Sequence, residues 1–135
     1  MRSRGSTLVE FALAWPLVLA LVYACIQLAI WGAEEHAAHS AALAGVRAGS
    51  AANGDAGTAA EIAVAVLRPS LVGASLAVSC ADADVREPGA FVCARELTGA
   101  VDVTIAGSVP ALVPLMGSGL PISAHAVIAK EAFAR

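Results

Sequence analysis

The hydrophobic and polar positions of this 135-residue chain change their period twice. After Arg2, Arg4 and Glu10, no Asp, Glu, Lys or Arg occurs until Glu34. Phe11 to Ala33 is thus an uncharged run of 23 residues in which Gln27 is the one strongly polar side chain. As an α-helix this run is roughly 35 Å long, enough to cross a hydrocarbon core of about 30 Å. The two arginines before it predict a cytoplasmic N-terminus, with everything after Ala33 on the outer face. Trp15 and Trp31 fall near the ends of the run, where interfacial aromatics are enriched. Pro16 lies inside it, removes one helical donor and crowds the preceding turn, which predicts a kink or local unwinding.

Beyond Ala33 the pattern predicts that the helix continues to Ala52, because Glu34–Ala52 is alanine-rich and free of proline. Asn53 and Gly54 then act as stop signals. Ala37, Ala41, Gly45 and Gly49 recur every four residues and form a smooth ridge. Such a ridge suits two uses, tight packing on the chain's own domain or close approach of a partner helix. Thr58, with Glu61 three residues on, predicts the capped start of a second short helix. Its expected apolar face is Ile62, Val66 and Leu67, and Pro69 ends it.

The period then drops to two. Leu76, Val78 and Cys80 alternate with small polar residues, as do Val101, Val103 and Ile105, and again Ile122, Ala124, Ala126 and Ile128. Ser108–Pro121 carries three prolines and two glycines before Pro121 is passed, which predicts a loop. The expected fold is α+β: a long N-terminal transmembrane helix extending outward, a second short helix, and a small antiparallel sheet of about three strands. The expected divisions are 6–33 for the anchor, 34–52 for its extracytoplasmic extension and 53–135 for a small outer domain.

Composition narrows the function. Hydrophobic residues make up 59% and charged residues 14%, against about 45–50% and about 25% in an ordinary soluble domain. The eight basic residues are scattered and the net charge is -3, which speaks against nucleic acid as a partner. No G-x-S-x-G, phosphate loop or dinucleotide fingerprint occurs, so neither an enzyme nor a cofactor is expected. Glu35, His36 and His39 share a helical face but form no H-E-x-x-H and lack a clear further ligand. They read as a polar collar above the membrane, and no metal is expected. His125 reads as a lone strand histidine.

Cys25 lies in the apolar run as a small hydrophobe. Cys80 and Cys93 fall in the outer part and flank a turn-rich charged stretch. A bridge there would close a 14-residue loop, worth about 3 kcal/mol in the chain-entropy model; two free thiols are the alternative. A cleaved secretory signal fits poorly, since its apolar region is normally about 7–15 residues. A lipoprotein signal at Cys25 fits poorly too, because Tyr23 and the apolar residues after Cys25 are wrong for it.

The first residues, M-R-S-R-G-S-T-L-V-E-F-A-L-A-W-P, resemble the class III signal of type IV pilin-like proteins. They look most like the TadE-like pseudopilins of tight-adherence (Flp) pilus systems, whose N-termini read R-G-x-x-x-V-E-F-A-L-x-x-P. Arg4, Gly5, Val9, Glu10, Phe11, Ala12, Leu13 and Pro16 match. The resemblance implies a leader of residues 1–5, removed by a prepilin peptidase that cuts between Gly5 and Ser6. It implies an assembly and register role for Glu10 and Phe11, with Glu10 as a partner for the new Ser6 amine. A carboxylate that merely snorkels to water is the other reading of Glu10. The implied partners are other pilin or pseudopilin subunits, the Tad secretion machinery and membrane lipid. The implied location is a single pass through the cytoplasmic (inner) membrane, with incorporation into a pilus as a further stage. Major Flp pilins are usually much shorter, so the resemblance points to a minor subunit. The competing class is an uncleaved single-span envelope binding or scaffold protein.

Overall fold

The structure is a computed structural model and describes residues 4–71, 73–81, 88–111 and 119–130. One helix, α1, runs from Arg4–Ser50 without interruption, Pro16 included. Its end falls two residues before the expected Ala52, an ordinary spread for a helix terminus. Gly54 takes part in the stop, but not through a left-handed backbone. Among the described residues positive φ occurs only at Gly73, Gly99 and Gly119. Gly54 instead lies against the end of α1, where a Cβ would sit 2.2 Å from the Ala48 carbonyl oxygen. Its N–H donates to the Ala51 carbonyl at 2.8 Å and turns the chain back.

The second helix, α2, spans Ala56–Leu67 and passes into a short 3-10 turn, Arg68–Ser70, at Pro69. Its cap is Asp55, not Thr58. Asp55 is extended and its Oδ1 accepts from the Thr58 N–H at 2.7 Å, which places Thr58 in the first turn. The apolar face also differs from expectation. Ala59, Ala60, Ala63 and Leu67 are buried, while Ile62 and Val66 remain exposed. The physical reason is how closely α1 and α2 approach. A Cβ on Gly45 would lie 2.7 Å from the Ala59 carbonyl oxygen, and one on Gly49 would lie 2.8 Å from the Ala59 Cβ. Only alanine fits opposite them, so the larger side chains turn outward. Of the two uses open to the small-residue ridge, Ala41, Gly45 and Gly49 serve the chain's own packing.

Four strands follow, one more than expected: β1 Ser75–Val78, β2 Gly89–Leu97, β3 Ala100–Val109 and β4 Leu120–Ala129. They order β1-β2-β3-β4 in one sheet. β2, β3 and β4 are antiparallel neighbours, whereas β1 lies parallel to β2, so the sheet is mixed. β2 escapes a period-two reading because its contrast is reversed. Small Ala90 points into the core beside Val92, while the bulkier Phe91 points to the half-open side. β1 is a short edge with Leu76 half-buried and Val78 exposed, so its alternation is not that of a half-buried strand. The expected loop at Ser108–Pro121 is shorter, since β3 reaches Val109 and β4 begins at Leu120; residues 112–118 lie outside the described ones.

One face of the sheet packs on the outer half of α1 and on α2. The core gathers Ala38, Ala41, Ala42 and Val46 of α1, the α2 alanines, and Val92, Val101, Val103, Ile105 and Ile122 of the sheet. β4 runs along α1 in the same direction. It starts beside Trp31 and Glu35. Its Ala126 and Ile128 pair with Val103 and Val101, which meet α1 at Gly45 and Gly49.

The Thr58 N–H holds the Asp55 carboxyl below its ordinary value, because it bonds the charged form. A lowered folded-state pKa contributes stability above the unfolded value, and that contribution disappears as pH falls through the folded one. Asp55→Ala is therefore expected to lower the thermal midpoint of the outer domain at neutral pH. The gap to the parent should close below the ordinary carboxylate range, as followed by circular dichroism across a pH series.

Candidate functional site

The candidate site is the surface of α1 and the place where the sheet grips it. Gly5 and Ser6 lie in the first turns of α1. Ser6 and Glu10 are four residues apart, so a helix puts them on one face. Glu10 and Phe11 are exposed, and Phe11 stacks on Trp15 with ring centroids 5.9 Å apart. Cys25 is unpaired and exposed.

From Val9 to Ile30, α1 is bare on nearly every side. Its most apolar 18-residue stretch is 6% buried within the chain. Leu13, Leu17 and Leu21 are exposed, with Trp15 and Tyr23 exposed among them. Water is a poor solvent for so much continuous apolar surface, and a bilayer or packed partner helices must cover it. A helix satisfies its own backbone hydrogen bonds and can sit in lipid. By length and composition this one can cross a membrane.

Above the bare stretch a single face of α1 goes under cover, at Gln27, Trp31, Glu34 and Ala38. Here the sheet is tied to the helix by hydrogen bonds. Trp31 Nε1 donates to the Pro121 carbonyl at 2.9 Å. The Ser123 N–H donates to Glu35 Oε2 at 3.1 Å, and Glu35 Oε1 lies 3.6 Å from His39 Nε2. These contacts occupy outward backbone groups at the start of β4, the edge strand of the sheet, which would otherwise be open to pairing. Glu35 and His39 thus form a structural collar, while His36 is exposed. Among the described residues no three His, Cys, Asp or Glu side chains gather as metal ligands. His125 stands on the open face of the sheet, 3.2 Å from Asp102. Reading residues alone misses the Trp31–Pro121 tie. The available signal is Gln27, Trp31, Glu34 and Ala38, spaced by four and three along the run, which marks one covered stripe.

Cys80 and Cys93 are bonded, with Cα atoms 4.7 Å apart. The bridge fastens the chain just past β1 to the middle of β2, and Arg95 Nη2 donates to the Cys80 carbonyl at 3.1 Å beside it. β1 has four residues on an exposed edge, so the bridge compensates for little burial. Cys80→Ser with Cys93→Ser is expected to cost the outer domain about 3 kcal/mol. Hydrogen exchange should accelerate at residues 75–79 first; unchanged protection there would count against the staple.

The geometry defines a class: a long apolar helix, able by length and composition to cross a membrane, that carries a small α+β head. Residues 5–47, which hold nearly all of α1, match the family model described as TadE-like protein; the similarity covers this segment and not the head. No curated protein and no solved structure matches the chain. The family match over α1 and the bare helix together fit a membrane-anchored pilus component.

Proposed function

We propose that this chain is a minor pilin or pseudopilin of a tight-adherence (Flp) pilus, matured by a prepilin peptidase at the Gly5–Ser6 bond. The supporting observation is the TadE-like match that begins at Gly5 and continues into a helix bare enough to need lipid or neighbouring helices. Hydrolysis of that bond removes the basic leader and leaves an α-amine on Ser6, one helical turn before Glu10. At the membrane edge a charged amine and a carboxylate have few water partners. A charge-assisted hydrogen bond between them, within one subunit or between two, is about twice as strong as a neutral one. Such a contact sets the axial register of packed α1 helices, while Phe11 and the apolar side chains after it fill the contact between subunits. The N-terminus is cytoplasmic and the head extracytoplasmic, as the arginines ahead of the span direct. The partners are the peptidase, other pilin subunits and the secretion machinery of the same system. Incorporation into the fibre then carries the head outward.

In a host with the matching peptidase, mass spectrometry is expected to find the mature chain starting at Ser6. Gly5→Leu should leave the precursor whole, because a side chain at that position blocks a close-fitting extended substrate. A parent chain that retains its leader in that host would instead support an uncleaved envelope scaffold.

Glu10→Gln separates assembly from anchoring. The variant should insert and be cleaved, yet recover far fewer partner subunits on co-purification from membranes and make few surface pili. A snorkelling acid predicts the opposite, since removing a charge from the membrane edge is neutral or eases insertion. Normal partner recovery with Glu10→Gln would remove the register role.

A further inference from the structure

Glu10 and Trp31 are 21 residues apart on α1, about 32 Å along the axis. The hydrocarbon core is about 30 Å thick, and a common tilt of about 20° leaves that span about 30 Å. With Glu10 at one boundary, Trp31 stands at the other. Trp31 is also where the sheet is tied on, through the Pro121 carbonyl. Val109 and Leu120 face each other one register step from Pro121, so both β3 and β4 have their ends at this height. From there β4 climbs past Glu35 toward the level of Gly45 and Gly49. The Thr98–Gly99 turn between β2 and β3 is therefore at the far end.

Charge is distributed along the same axis. Between Asp102 and Lys130 the chain has no Asp, Glu, Lys or Arg. The near ends of β3 and β4, beside α1, present Pro110, Ala111, Gly119, Leu120 and Pro121, whereas β2, one strand further from the helix, starts at this end after Arg86 and Glu87 in the sequence. The far end carries Arg95, Glu96 and Asp102, with Lys130 Nζ paired to Glu96. Glu34, the first acid above the run, is buried rather than turned to the surface.

We propose that the near end of the sheet is a second membrane-contact surface, resting its Pro110–Ala111 and Gly119–Pro121 segments in the headgroup layer of the outer leaflet beside α1. The occupant is lipid, because the β3–β4 corner is continuous with the bare helix at the same depth and, among its described residues, has no charged side chain to hold water. Trp31 suits the position, with its ring against apolar matter and its N–H held by a backbone carbonyl. The head then has no stand-off from the bilayer. It is braced at two points, and the open sheet face points sideways, toward neighbouring subunits in the membrane plane. This inference rests on α1 spanning the bilayer, and its test tells the two apart.

The full chain with Cys25→Ala would carry one introduced cysteine, Leu21→Cys, Ala111→Cys or Thr98→Cys, labelled with an environment-sensitive fluorophore. Each variant is reconstituted alone into phosphatidylcholine vesicles, and the intact Cys80–Cys93 bridge is checked by non-reducing peptide mapping as evidence of folding. The label at Leu21 should be quenched by lipids brominated deep in the acyl chain. The label at Ala111 should be quenched by lipids brominated near the headgroup and shielded from aqueous iodide. The label at Thr98 should respond to iodide alone. Iodide quenching at Ala111 equal to that at Thr98, with Leu21 still quenched by lipid, would overturn the contact while leaving the anchor intact. Loss of lipid quenching at Leu21 would overturn the spanning reading and this inference with it.

Discussion

Between Leu28 and Ala38, α1 passes from a bare apolar cylinder into the centre of a packed domain, and the rest of the structure follows from that change of surroundings. One continuous helix is bare and apolar along its first half and is the largest element of a core along its second. The transition is made by hydrogen bonds rather than by apolar contact alone. Trp31 and Glu35 satisfy outward backbone groups of β4, so the edge of the sheet is closed by the helix that anchors it. That coupling makes anchor and head one body, with no linker between them.

Packing above the collar is set by small residues. Gly45 and Gly49 let α2 approach until its alanines touch the backbone of α1. Large side chains contribute more apolar area each, but they would hold the helices apart and open voids at this seam. The larger residues of the core come from the sheet instead, where Val101, Val103 and Ile105 fill the space beneath the two helices. The head is small, and part of its periphery relies on a covalent tie. β1 buries little and lies beside the Cys80–Cys93 bridge, which limits how far that edge can open.

Several elements were legible from residues because one physical effect dominated each. The anchor needed only an uncharged run of sufficient length. β3 and β4 alternate β-branched or aliphatic residues with polar ones, and their inward sets are the ones buried. Elements with competing effects were misread. Thr58 and Glu61 have the form of a capping box, yet Asp55 three residues earlier reaches the same N–H first. Ile62 and Val66 have helical spacing and hydrophobicity, but no residue on α2 reveals that glycines lie opposite it. β2 hides because a strand in contact with helices at close range needs small inward side chains, which erase the alternation.

Chain chemistry by itself determined the anchor, the candidate maturation segment at Gly5–Glu10 and the succession of helix, helix and strands. Those are local properties: charge exclusion from lipid, backbone propensity and the period of side chains along one element. Tertiary structure alone decided which face of α2 is inward, that β1 runs parallel to β2, and that Trp31 and Glu35 close the edge of β4. Each depends on two segments distant in the chain, Trp31 with Pro121 and Gly45 with Ala59 among them. No local pattern carries the distance between such segments. It follows only from the simultaneous packing of both helices on one sheet.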